Sequence, residues 1–194
     1  MPSDKTSLVS QLNTAEQLKA DDNYIPVPLS ETFDLRVDGS GTAVTREFNQ
    51  WTELDGDPNP ASPIKTISAI EFVAVVADDA LNLTEFLGGA ALSTGIPISI
   101  RLNGVTVTIG TITKMTDLYR IFDEVIITTD SETTPNNVIK ARKLYAEENG
   151  TFLQLVDETS GDEDAILATV SENLSAVGAE ISLVVHGFGY VGRR

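Results

Sequence analysis

Cysteine is absent from the 194 residues. That excludes disulfides, thiolate-bound zinc and a cysteine nucleophile together, and it leaves the redox compartment open. Histidine occurs once, as His186. A catalytic histidine needs a nucleophile or a metal beside it, and neither a Gly-x-Ser-x-Gly elbow nor a His-rich spacing supplies one. No stretch approaches the ~20 apolar residues of a membrane-spanning helix. The opening Met-Pro-Ser-Asp-Lys-Thr has no apolar signal core, so the expectation is a soluble chain that would meet a membrane only by docking. Lysine is confined to Lys5, Lys19, Lys65, Lys114, Lys140 and Lys143, and tryptophan to Trp51.

What is abundant is negative charge. Asp and Glu number 29 against 13 Lys and Arg, for a formal net charge of -16. Such a surface repels nucleic acid and anionic lipid, so no direct nucleic-acid contact is expected. An acidic, lysine-poor surface suits a protein kept soluble in concentrated salt, and ordinary acidic proteins share it. The length fits one domain with an arm, enough to bury ~70% of the unfolded surface. The expected division is an arm over residues 1–25 and a β domain over residues 26–194.

The most informative stretch is residues 97–109, Pro-Ile-Ser-Ile-Arg-Leu-Asn-Gly-Val-Thr-Val-Thr-Ile. Asn103 tolerates positive φ and Gly104 has no Cβ to clash, so the pair suits a two-residue type I′ turn between alternating strands. The register then follows: Leu102 faces Val105, Ile100 faces Val107 and Ile98 faces Ile109 on a core side. Arg101, Thr106, Ser99 and Thr108 take the polar side. A second Asn-Gly pair, Asn149-Gly150, predicts another hairpin with Ala146 opposite Leu153, Leu144 opposite Leu155 and Arg142 opposite Asp157.

Further strands are expected over residues 31–37, 42–51, 64–77, 125–129, 165–170 and 179–191, with residues 64–77 apolar enough on both sides to be central. The arm carries Leu8, Leu12 and Leu18 at roughly helical spacing, packing on its own domain or on a neighbouring subunit. Residues 81–87 allow one or two helical turns. A short helix is expected over residues 117–125, capped by Thr116 or Asp117. Eight or more short strands with little helix argue for an antiparallel β-sandwich or closed β-barrel, an all-β fold.

Motifs with chemical content are few. Gly187-Phe-Gly-Tyr-Val-Gly192 is formally GxGxxG after a strand, yet a dinucleotide site needs a helix opening at the third glycine, and Arg194 follows almost at once. Its glycines are expected to thin a strand where a backbone or ring packs close. His186, Phe188 and Tyr190 form an aromatic stripe on the side away from Leu183 and Val185, a candidate subunit contact. Asp55, Asp57 and Asn59 start like a calcium loop, but Pro60 replaces the turning glycine and Thr66 the final glutamate. Asp157, Asp162 and Asp164, around Gly161, are the candidate ligands for a structural cation such as calcium; a solvated acidic turn is the simpler reading.

An extended arm, about eight short strands, long loops and a last strand running through Ser182-Leu-Val-Val-His-Gly-Phe-Gly-Tyr190 together resemble the single jelly-roll capsid proteins of tailless icosahedral viruses. With the acidic, lysine-poor composition, the chain looks like the small major capsid protein of the internal-membrane viruses of halophilic archaea. The resemblance covers residues 25–192 in architecture and composition and selects no individual residue. It implies a vertical jelly roll in a virion shell, oligomerising with itself and with other capsid proteins over a membrane vesicle, and non-enzymatic. Two further readings stay open: a decoration or cement protein of a tailed-phage head, and a β-sandwich module binding carbohydrate or a cell surface. A hydrolase on the same scaffold is the least supported.

Overall fold

The computed structural model describes residues 24–48, 64–77, 92–130, 136–145, 153–156, 164–175 and 180–192. Ten strands and one helix lie in these residues: β1 (Tyr24–Asp34), β2 (Val44–Phe48), β3 (Ile64–Ala77), β4 (Ile96–Leu102), β5 (Val105–Ile112), α1 (Met115–Ile121), β6 (Glu124–Asp130), β7 (Asn136–Leu144), β8 (Leu153–Val156), β9 (Ala165–Val170) and β10 (Glu180–Gly192). The strands form two antiparallel sheets. One has the order β1-β10-β3-β7-β6, with β8 also on β3, and the other has the order β2-β9-β4-β5. The fold is therefore an all-β sandwich.

The pairing is nested about one point. Asn103 and Gly104 adopt φ of 51° and 74°, the left-handed conformation that a type I′ turn requires. Around that tip β4 pairs β5, β3 pairs β7 and β8, β2 pairs β9, and β1 pairs β10, each antiparallel. The chain is thus one long ribbon doubled back at Asn103-Gly104. Rolling it up adds the β10–β3 and β4–β9 pairings, and β6, outside the nest, completes the first sheet by pairing with β7.

Inward-facing residues of both sheets share one core, with Leu35, Phe48, Ile70, Phe72, Ile98 and Leu183 fully buried. The rings of Phe33 on β1 and Phe48 on β2 meet edge-on at 6.1 Å, joining the two sheets. Helix α1 crosses between the sheets and adds Met115 and Leu118 to the core.

Several expectations are corrected. The described helix sits mid-chain, over Met115–Ile121 where residues 117–125 were expected, and the helical spacing expected in the arm lies outside the described residues. Of the arm expected over residues 1–25, only Tyr24 and Ile25 lie in the described residues, and they open β1. Pro26 and Pro28 are accommodated within β1 because it is an edge strand, where a missing N–H costs no ladder bond. The strand expected over residues 42–51 is described over Val44–Phe48.

Among the described residues the second hairpin's strands do not pair with each other, while its turn, Asn149-Gly150, and Ala146 and Asp157 lie outside them. Leu144 of β7 pairs with Ala69 and Leu153 of β8 with Ile67, so β7 and β8 run in line along one edge of β3. Arg142 consequently faces Glu71 and Glu124 rather than Asp157, and its Nε donates to the Glu71 carboxylate. In the first hairpin the register holds from Leu102–Val105 to Ser99–Thr108. It then slips by a bulge, leaving Ile98 opposite Gly110. Nor is α1 capped by Thr116 or Asp117 at its N-cap: Lys114 holds that position, and Asp117, inside the first turn, reaches back to the Thr113 and Lys114 N–H groups.

Candidate interaction surface

Outward-facing residues of β10 and its neighbours make up the first candidate surface. The pairing sets Pro28 and Thr66 on either side of Phe188, and Ser30 and Ala69 on either side of His186. A bulge between His186 and Gly187 in the β10–β3 ladder shifts the register here. The expected aromatic stripe is split by depth: Phe188 is 41% exposed, whereas Tyr190 is 1% exposed and its hydroxyl lies 3.0 Å from Thr66 Oγ1. His186 is half-buried, and its Nε2 has no hydrogen-bond partner. Pro28, Ser68, His186 and Phe188 border a shallow cleft of about 400 Å³. Gln154, across β3 from Phe188 and opposite Thr66, is buried with both amide atoms unpartnered. Leu8, Leu12 and Leu18 lie outside the described residues.

Of the candidate metal ligands, Asp157 and Asp162 lie outside the described residues. Asp164 is buried, and its two oxygens accept from separate backbones: Oδ1 from the Asn103 N–H at 2.7 Å and Oδ2 from the Val156 N–H at 3.0 Å. It ties the tip of the β4–β5 hairpin in one sheet to the end of β8 in the other. Among the described residues no group of three or more His, Asp or Glu side chains is placed to hold a metal ion.

Other acids hold loops in the same manner. Glu172, just past β9, accepts the Thr94 and Gly95 N–H groups at 2.7 and 3.1 Å on Oε1 and the Ser93 N–H at 3.2 Å on Oε2. The Thr94 bond, joined by those from Gly95 and Ser93, outweighs partial burial and holds its carboxyl below the usual glutamate range. Asp117 is desolvated, which raises its pKa, yet the Thr113 hydroxyl and backbone, the Lys114 N–H and the Arg120 charge win and lower it. Asp123 is lowered in the same way, its desolvation overcome by Lys143 at 2.9 Å and the Leu144 N–H. Asp34 is lowered chiefly by its bonds from the Arg36 side chain and backbone.

No family model, curated protein or solved structure matches this chain. The surface therefore has to be read from its own chemistry.

A second surface was not visible in the sequence. Val105 and Val107 alternate as core-facing residues should, but they are 63% and 59% exposed, because β5 is the outermost strand of its sheet. Their partners Leu102 and Ile100, one strand further in, do pack against the core. Alternation identifies a face, and only the strand order shows that the face runs past the end of the opposing sheet. The signal available in the sequence was the acid-free run of residues 86–116, the longest in a chain with 29 acids.

Proposed function

We propose that this chain is a jelly-roll structural protein of a viral capsid, acting by self-association and by contact with other capsid proteins rather than by catalysis. The observation that carries the reading is the nested strand order. A ribbon doubled at one tip and rolled so that successive strand pairs fall in alternate sheets, β1–β10 and β3–β7/β8 in one, β2–β9 and β4–β5 in the other, supports the wrap of a two-Greek-key jelly roll. Viral capsid domains are among the proteins built that way, and lectins and cupins are others, so the wrap supports the reading without selecting it alone. The charge of -16, the scarcity of lysine and the exposed apolar positions at Phe188 and on β5 add to it. A membrane-proximal place in the virion shell belongs to the same proposal and rests on the resemblance.

A second reading, a ligand-binding β-sandwich module, draws on the cleft beside His186 and Phe188, with its unpartnered imidazole nitrogen. The experiment that separates the two is sedimentation velocity at low and at molar salt, with electron microscopy of any large species. Salt screens the acidic surfaces and lets copies approach. Discrete oligomers and shells growing in at high salt are expected. A monomer under both conditions would overturn the lattice reading and leave a decoration or binding module.

A further inference from the structure

We propose that β5 is the strand through which two copies of this chain join, antiparallel about a two-fold axis, so that the second copy's β5 extends the β2-β9-β4-β5 sheet. The inference deepens the self-association reading above and rests on it. It starts from how the sheet edges are guarded. An open edge presents unpaired N–H and C=O groups, and proteins that must stay apart blunt it with proline or charge. Among the described residues β8 is outermost too, but it is four residues long and almost wholly buried. Of the four other outermost strands three carry such guards, since β1 has Pro26, Pro28, Glu31 and Asp34, β2 has Arg46 and Glu47, and β6 has Glu124. The fourth, β5, reads Val-Thr-Val-Thr-Ile-Gly-Thr-Ile and carries neither.

Its first four residues, Val105, Thr106, Val107 and Thr108, are all exposed, so neither face of this half-strand is covered. The far half is occupied, with Ile121 of α1 packed over Gly110.

Geometry then selects the pairing. In a two-residue hairpin the residues flanking the turn bond to each other, so Val105 and Val107 spend their backbone groups on Leu102 and Ile100. Thr106 and Thr108 point theirs outward. A two-fold axis perpendicular to the sheet preserves its faces and sets residues with outward bonds opposite one another. With Ile121 over Gly110 closing the far half, the register that stays on the free half sets Thr106 opposite the second copy's Thr106 and Val105 opposite the second copy's Val107. Valine meets valine on one face and threonine meets threonine on the other.

The occupant is a second copy because of charge. Two molecules each carrying -16 repel over most contacts, yet residues 86–116 contain no Asp or Glu. The charges in that run are Arg101, which is paired with Glu47 at 3.2 Å, and Lys114. Edge-to-edge pairing at β5 brings together the stretch with the least like charge.

The absence of cysteine makes the test clean. Thr106→Cys, treated with a short bis-maleimide, is expected to link into covalent dimers, and Thr128→Cys, exposed on the guarded edge β6, is expected not to. Val105→Lys/Val107→Lys, at two exposed positions, is expected to sediment as a monomer with a melting temperature within about 2 °C of the parent. Linking of Thr106→Cys no better than Thr128→Cys, or a lysine variant that still dimerises, would overturn the proposal. Shells that assemble unchanged from the lysine variant sink this surface and spare the capsid reading. Dimers linked through Thr106→Cys with no larger assembly at any salt support this surface and sink the capsid reading.

Discussion

Phe188 and Tyr190 are two positions apart on one strand, yet they predict opposite phenotypes. Tyr190 is buried with its hydroxyl on Thr66, so Tyr190→Ser removes a packed ring and leaves a buried hydroxyl unpaired. A loss of about 3–5 kcal/mol is expected, a fall in melting temperature on the order of 10 °C for a chain of this size. Phe188→Ser, at an exposed ring, should leave the melt nearly unchanged and weaken self-association. If calorimetry ranked the two the other way, Phe188 would be the core residue. The sequence placed both rings on the outward side of β10 but gave no measure of depth. Depth depends on cross-strand neighbours such as Thr66, more than a hundred residues away in the chain. Asp164 teaches the same limit. Composition shows an acid in an acidic turn, and only the fold brings the Asn103 and Val156 N–H groups to its two oxygens. For Glu172 the consequence is a pH dependence. Its folded pKa is lowered, so its contribution to stability is complete above the ordinary carboxylate range and is lost as pH falls through the lower, folded value. Glu172→Gln should therefore be less stable than the parent at neutral pH, with the gap closing in acid-unfolding curves below about pH 4. A gap that stayed constant with pH would show that the carboxylate charge is not what holds residues 93–95.

Among the elements, those whose instructions are local were legible. The β4–β5 hairpin, the limits of β3 and β9, and a helix near residue 117 follow from turn chemistry, alternation and 3.6-residue spacing within a dozen residues. The second hairpin was misread for a physical reason. Asn149-Gly150 and a matching register made a local case, but β3 offers its whole free edge, and β7 and β8 both dock along it. Fourteen residues of central strand bury more than a short isolated hairpin does. The contact between β5 and α1 is another that no local rule shows. A Cβ on Gly110 would collide with the Ile121 side chain. Gly110→Ala is expected to cost about 1–3 kcal/mol through overpacking, and Ile121→Ala in the same chain should recover part of that cost, since the alanine methyl fills the space the isoleucine leaves. Denaturant titration of both single variants and the double variant gives the coupling. Additive costs would show that α1 does not rest on Gly110.

For the whole molecule two electrostatic effects oppose each other, and their crossing predicts the pH profile. The net charge of -16 favours expansion of the compact chain at low salt. Asp34, Asp117, Asp123 and Glu172 favour the fold because their ionised forms are held by N–H, hydroxyl and cationic partners. Acidification from neutrality toward the ordinary carboxylate range trims the repulsion first, since those four groups, with lowered pKa values, keep their charge longest. At low salt the melting temperature should accordingly rise as pH falls toward about 5 and then drop as the held carboxylates protonate. At molar salt the Debye length shrinks to about 3 Å, so the repulsion is already screened. The rise should then vanish while the acid-side drop remains, because bonds between touching groups are screened far less than charges across a surface. Melting curves over pH 3–8 at the two salt concentrations measure both limbs. A rise toward pH 5 that persisted in molar salt would show that the acidic surface is not what limits stability. The salt-driven association expected of the chain would then need another cause than relief of its charge.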